Sequence, residues 1–307
     1  MGRINALALG NYRLNYGYGL VMNTDFSMGK TTALSTLSNQ TKGIKKHSST
    51  DEYNYFQGIA GSVYLTRRLT ADAFFSFRQM DGIVDNQFIT SVKEDGYHRI
   101  PRDFEKKNTF TNRLIGSNID YNGKYFEAGL TAVHNVFNKV LNPTARAYNK
   151  YYPRGRDFFN AGINYKLFWK KFTLQGETAM DKNGRVATMN MLRYSPKNDL
   201  QLIVMNRFYD VAYQSIYARS IGEGSSVQNE SGFYIGDVPL ERLNKSLEAF
   251  KHKIDAWAKK NKDHVLIDDI DRLMLKVRKY NIVNECFDKG FKFYVEIYGG
   301  DITVKIY

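Results

Sequence analysis

The stretch NYRLNYGYGLVMN, residues 11–23, places an apolar or aromatic residue at every even position: Tyr12, Leu14, Tyr16, Tyr18, Leu20 and Met22. The odd positions are Asn11, Arg13, Asn15, Gly17, Gly19, Val21 and Asn23, polar or tiny with one exception. Such a two-residue period is the mark of a β-strand with one apolar face. It runs past the about 5–6 residues of an ordinary soluble strand and reaches the roughly 9–11 that a strand tilted across a bilayer needs. The even side chains are therefore expected to face lipid, with Tyr12, Tyr16 and Tyr18 at the interfaces. The odd ones would face a polar lumen, where Gly17 and Gly19 leave room.

The same alternation returns downstream. Leu69, Ala71, Ala73, Phe75 and Phe77 share one face, as do Phe126, Ala128, Leu130 and Ala132. The best repeat is Phe159, Ala161, Ile163, Tyr165, Leu167 and Trp169. Weaker copies near residues 53–65, 112–121, 172–180, 186–194, 200–209 and 231–236 bring the total to about ten strands. Short connections at 66–68, 122–123, 170–171 and 195–198 alternate with long polar ones at 24–51, 81–107, 137–157 and 210–230. The DKNGR segment at 181–185 is a short member of the long class. Transmembrane barrels keep this parity of short turns and long loops. Residues 1–236 are thus predicted to be mainly β: an antiparallel, up-and-down barrel or partial barrel of transmembrane type, with a soluble barrel or sandwich as the alternative. Trp169 joins the three tyrosines at the lipid interface, and Arg13, Arg78 and Lys166 are expected as lumen charges.

The chain has 307 residues, with 22 Tyr and 20 Phe against only 5 Pro, so strand formers dominate it. No apolar run approaches the roughly 18 residues of a membrane helix. The single Cys286 excludes an intramolecular disulfide and a multi-cysteine metal site. The first residues, MGRINALALG, lack an export signal, and Ala6 breaks the myristoylation pattern. Met1 is accordingly read as an internal start or a fragment boundary.

A formal charge of +13 calls for an anionic partner or a solvated surface. Basic residues gather at Lys42, Lys45, Lys46 and His47, at Lys106 and Lys107, and at Arg146, Lys150, Arg154 and Arg156. The segment YNKYYPRGRDFF, residues 148–159, interleaves cations with rings. This composition suits an aromatic belt meeting anionic headgroups of membrane lipid or lipopolysaccharide. It equally suits stacking on single-stranded nucleic acid.

At residue 237 the period changes. Leu240, Leu243, Leu247, Phe250, Ile254 and Trp257 form a helical stripe, and Ile270, Leu273, Met274, Val277 and Tyr280 a second one. FKFYVEIYGGDITVKIY then reads as a hairpin, so residues 237–307 are expected to be a small ααββ unit unrelated to the barrel pattern.

No motif in the chain predicts chemistry. SMGKTT, residues 27–32, lacks the glycine that a phosphate loop needs, since Thr24 stands in its place. GYHRIPRDFE, residues 96–105, matches no helical zinc spacing and offers no base with an orienting partner. His134 ends a strand, and Asp120, Glu127 and Glu177 are isolated carboxylates that lumen polarity explains. No catalytic, metal or cofactor residues are assigned.

The succession GNYRLNYGYGLVMNTDFSMGK, GYHR, NVFNKVLNP, YPRGRDFFNAGINY and VQNESGFYIG resembles the C-terminal barrel region of the large helix-hairpin-helix domain-containing proteins of Bacteroidetes, over about residues 1–236. The resemblance implies an outer-membrane location and a link to DNA handling. The chain departs from the family in lacking the helix-hairpin-helix part and in replacing the strands expected after Gly236 by the ααββ unit. The expectation is a non-enzymatic outer-membrane β-barrel protein acting as a pore, scaffold or surface-binding element. The alternative is a basic nucleic-acid-binding module using loops 42–47 and 146–156.

Overall fold

A computed structural model describes residues 3–25, 43–47, 53–146, 149–197, 200–222, 224, 226–239, 293–298 and 301–306. The described chain is mainly β, with a single four-residue helix. In chain order the elements are β1 (Ile4–Asn15), β2 (Gly43–Lys46), β3 (Phe56–Tyr64), β4 (Leu69–Met80), β5 (Gly82–Asp85), β6 (Phe88–Val92) and α1 (Pro101–Phe104). There follow β7 (Phe110–Asn122), β8 (Phe126–Leu141), β9 (Gly155–Trp169), β10 (Phe172–Asp181), β11 (Val186–Lys197), β12 (Leu200–Tyr209), β13 (Glu230–Pro239), β14 (Phe293–Tyr298) and β15 (Asp301–Ile306).

The chain divides into two compact units, one of Met1–Ser27, Thr41–Tyr194 and Ile203–Gly236, the other of Met28–Gln40, Ser195–Leu202 and Asp237–Tyr307. Among the described residues of the second unit, β14 and β15 form an antiparallel pair with Tyr298 opposite Asp301. The two helices expected before this hairpin, the SMGKTT segment and Lys42 lie outside the described residues.

The main sheet is an up-and-down meander in the order β13-β12-β11-β10-β9-β8-β7-β4-β3-β1-β2, and it does not close on itself. Each long strand is antiparallel to the next in the order from β1 to β11. The alternating sequence explains this, because each strand has one face to hide and every second connection is short enough to return at once. The turn at 170–171 is tight: Trp169 pairs directly with Phe172, and Lys170 takes the left-handed conformation. The long connections carry structure of their own. The stretch at 81–107 contains the β5–β6 hairpin and α1, and β6 meets the end of β8 in a short parallel contact.

The two faces of the sheet differ in kind. The inner positions include Asp72, Asn118, Asn160, Asn164, Gln175, Glu177, Arg193 and Arg207, all buried. Outward positions carry Leu9, Phe75, Ile115, Leu130, Ile163, Phe208 and Ile235, all exposed, with Leu9 72% and Ile235 71% accessible. The usual soluble arrangement, apolar inside and polar outside, is thus reversed in the middle of the strands. At the long-loop end the interior becomes apolar, where Met80, Ile89, Phe110, Phe137, Leu141 and Phe158 cluster. Phe137 meets Phe110 and Phe158 edge-on, at 5.6 and 5.9 Å between ring centres.

The opening stretch departs from its sequence reading in length and in face. β1 ends at Asn15, and residues 16–24 turn inward instead of continuing the strand. Gly17 and Gly19 make that possible, with positive φ of 59° and 87°. Tyr12, Tyr16 and Tyr18 are buried in the interior, not presented to lipid. The physical reason is that an apolar face alone does not say what it packs against. Tyr16 stacks on Phe74 at 5.6 Å, and Tyr12 lies 5.9 Å from Phe56. The same phase puts Arg13, which alternates with buried Tyr12 and Leu14, on the opposite face and not in a lumen.

Candidate functional site

The interior is filled by the chain itself. Two segments enter it from the long-loop end of the sheet, residues 16–24 after β1 and residues 210–222 between β12 and β13. The first closes on itself through Tyr16 N to Met22 O at 3.0 Å and Thr24 N to Leu14 O at 3.0 Å. The second is stitched to it by backbone bonds, Asn23 N to Tyr217 O and Arg219 N to Gly19 O, both 2.9 Å. Side chains add Tyr213 OH to Leu20 O and Ser220 Oγ to Tyr18 O, both 2.8 Å. Backbone groups removed from water cost free energy unless paired, and these two segments pair one another.

Glu177, in the middle of β10, anchors this plug. Its Oε2 accepts the amide protons of Tyr18 at 2.5 Å and Leu20 at 3.1 Å. The left-handed turn at Gly17 aims both amides at one carboxylate, as in the backbone nests that bind anions. Gly17 packs so closely on Glu177 that a side chain there would have to displace the carboxylate, and Gly162 of β9 similarly makes room for Val21. Tyr16 donates to Asp72 Oδ2 at 3.0 Å. Burial, and then the Asp72 carboxylate, push the Tyr16 phenol up, so it stays a neutral donor. Asn160 donates to Gln214 O at 2.9 Å, and Asn112 to the Tyr217 hydroxyl at 2.5 Å. Near the far end of the sheet, Arg207 Nε and Glu230 Oε1 are 2.6 Å apart.

Of the charges expected in a lumen, Arg78 and Lys166 lie on the inner face. Arg78 donates to the carbonyls of Tyr53 and Tyr55 and covers the Tyr55 ring at 3.8 Å. Lys166 is half-buried, 5.0 Å from the centre of the Phe168 ring. Arg13 instead sits beside Asp25 at 3.8 Å, across the strand pair from Lys45. Burial pushes the Asp25 carboxyl up, but Lys45, which contacts it, together with Asn15 and Arg13, outweighs this and holds it below the usual carboxylate range. Trp169 faces outward and is 66% accessible.

The residues expected to contact anions are dispersed in role. Lys45 is paired with Asp25. Arg154 braces its own loop through Asn142, Pro143 and Asn149. Arg156 reaches the Phe137 carbonyl, and Lys150 covers Tyr151 at 5.2 Å. Lys46 and Arg146 are exposed. His98 pairs with Asp81 at 2.7 Å, and His134 with Asp157 at 2.9 Å on the outward face. Among the described residues, no group of three or more His, Cys, Asp or Glu side chains could hold a metal ion. No described helix is long and apolar enough to cross a membrane, which says nothing of strands.

A groove of about 830 Å³ runs over the outward face of β3, β4 and β7, between walls that include Leu7, Ile59, Phe75, Ile115 and Phe159. Its walls are mostly apolar, with Asp72, Ser117 and His134 also lining it. The site that sequence reasoning missed is Glu177 with its plug. The signal was an acidic residue on the inner parity of β10, indistinguishable by itself from ordinary interior polarity.

No family model matches the sequence, and no curated protein matches it significantly.

Proposed function

We propose that this chain is a non-enzymatic β-barrel-type protein of the bacterial outer membrane, with an interior occupied by its own segments, acting as a scaffold or surface-binding element. The observation that carries the reading is the reversed polarity of the main sheet: exposed Leu, Ile and Phe outward, buried Asn, Gln, Asp, Glu and Arg inward. Lipid solvates such an outer face, whereas water does not. The long strands, with 9 residues in β3 and 16 in β8, are long enough to cross. The stitched plug favours a scaffold with a filled interior over an open pore. The resemblance to the barrel region of the Bacteroidetes helix-hairpin-helix proteins agrees with this, and a link to DNA handling rests on that resemblance alone.

The nucleic-acid module is the weaker reading, because Lys45 and Arg154 are engaged within the chain. The test is to refold the full chain into detergent and then into lipid vesicles. Unheated samples are expected to migrate on a gel as a compact band that shifts on boiling, and to remain with the vesicles after washing in alkali. A protein that stays monomeric and folded in detergent-free buffer overturns the proposal.

A further inference from the structure

The two ends of the main sheet are chemically unlike. At the short-turn end three of the four short connections, at 65–68, 122–125 and 170–171, carry Arg67, Arg68, Lys124, Lys170 and Lys171, and no carboxylate; the fourth, between β11 and β12, lies partly outside the described residues. The long-loop end mixes its cations with Asp81, Asp95, Asp103, Asp157 and Asp210. The short turns are also held in a row. Asn122 N donates to Arg68 O at 2.7 Å, and Phe168 N to Tyr125 O at 2.9 Å, so each connection is bonded to the neighbouring hairpin.

Just inside this row lies a band of outward rings. Trp169 stacks on Phe172 at 5.8 Å and Phe172 on Tyr194 at 4.5 Å, across three adjacent strands. Tyr121 and Phe126 continue the band at 6.3 Å. The cations lean on it: Lys124 Nζ is 5.1 Å from the Tyr125 ring and Lys170 Nζ 5.7 Å from the Trp169 ring. Beyond the band the outward face is apolar, with Leu130 and Ile163 exposed. Apolar wall, aromatic band and cationic edge follow one another in the order in which acyl chains, glycerol region and phosphates are layered in a leaflet.

We propose that this short-turn rim is a docking surface for anionic phospholipid, with headgroup phosphates on Arg67, Arg68, Lys124 and Lys170 and the rings of Tyr125 and Trp169 at the glycerol level. The inference rests on the membrane reading and adds to it an oriented lipid preference. Charge complementarity selects the partner, since three neighbouring turns of one sign over aromatic rings suit phosphate lipid.

The chain holds two tryptophans, so Trp257→Phe leaves Trp169 as the sole emitter. The full chain with this change is folded into vesicles containing equal amounts of phosphatidylcholine and phosphatidylglycerol, with bromine on the chains of one lipid or the other. Quenching of Trp169 is expected to report a several-fold local excess of phosphatidylglycerol. The variant R67S/R68S/K124S/K170N is expected to lose it, leaving the two lipids equally represented around Trp169. Asparagine is used at 170 because it tolerates the left-handed backbone there. The heat-shifted gel band in pure phosphatidylcholine shows that the variant folds, and high salt is expected to abolish the excess in the parent. Equal quenching by the two brominated lipids, an excess that the variant keeps, or an excess seen with lipopolysaccharide but not with phosphatidylglycerol overturns the proposal. A chain that folds into neither kind of vesicle overturns the membrane reading itself, and this inference with it.

Discussion

A Cβ atom placed on Gly17 would lie 2.6 Å from Glu177 Oε2, a distance that real Cβ contacts essentially never reach. The absence of a side chain at 17 and the carboxylate at 177 are therefore one device. The left-handed turn at Gly17 presents the amides of Tyr18 and Leu20, and the carboxylate receives both.

Gly17→Ala is expected to destabilise the plug by roughly 1–3 kcal/mol, through the positive φ and the lost space. Glu177→Gln keeps an acceptor but removes the charge, and should cost somewhat less than Glu177→Ala, which leaves two buried amides unpaired at about 1–3 kcal/mol each. Hydrogen exchange at Tyr18 and Leu20 reads both. Unchanged protection in Glu177→Ala would show that the carboxylate is not the anchor.

Tyr16→Phe removes the hydroxyl that Asp72 accepts, while the ring still stacks on Phe74. The expected loss is about 1.5–3 kcal/mol, the range for a hydrogen bond to a charged acceptor. The denaturation midpoint in urea measures it, and Tyr16→Phe with Asp72→Asn should cost less than the sum of the two single changes.

Asp25 makes stability depend on pH in a definite direction. Its folded pKa is lowered by Lys45, Asn15 and Arg13 against the effect of burial. Its contribution is fully present above the unfolded value of about 4 and is lost as pH falls through the lower folded value. The stability difference between the parent and Asp25→Asn is expected to shrink over that acidic window and to stay constant at neutral pH. Unfolding curves across the range test this, and a difference that grows on acidification contradicts it.

Ile163, 58% accessible and flanked by Leu130 and Thr178 on neighbouring strands, separates lipid from water as the outer solvent. Ile163→Arg is expected to cost about 2–4 kcal/mol of folding stability in a bilayer, given its place near the middle of β9. On a water-exposed sheet the same change stays within about 0.5 kcal/mol. Folding titrations in vesicles distinguish the two.

Strands β3, β4 and β7 to β13 were legible in the sequence because alternation survives in them, and the antiparallel meander followed from the short turns, whereas the short β2, β5 and β6 lie in stretches that read as polar connections. In β4 and β9 the apolar parity, Phe75 or Ile163, does face outward. At Tyr12, Tyr16 and Tyr18 the same rule gave the opposite face. Lipid and a packed interior both accept an aromatic ring, and only the partners of the hydroxyl, such as Asp72, distinguish them. The plug was illegible for a related reason: its bonds run between backbone groups of segments far apart in the chain, which leave no periodic trace. The acidic Glu177 looked like any other inward polar residue until the amides facing it were placed.

The Ser220 hydroxyl and the Tyr18 carbonyl it bonds are 202 positions apart in the chain. What the segment after β1 needs is thus supplied by residues made some two hundred positions later. During synthesis and assembly the segment after β1 must wait, its Asn23 amide and Gly19 carbonyl hydrated, while the strands from β3 onward are laid down. Only when the loop before β13 arrives can the interior dry. Contacts of such separation are slow to form, because chain entropy is lost long before any bond compensates for it. Assembly of this sheet therefore has a final, committing step, and its timing is set by the last loop to enter rather than by the strands that surround it.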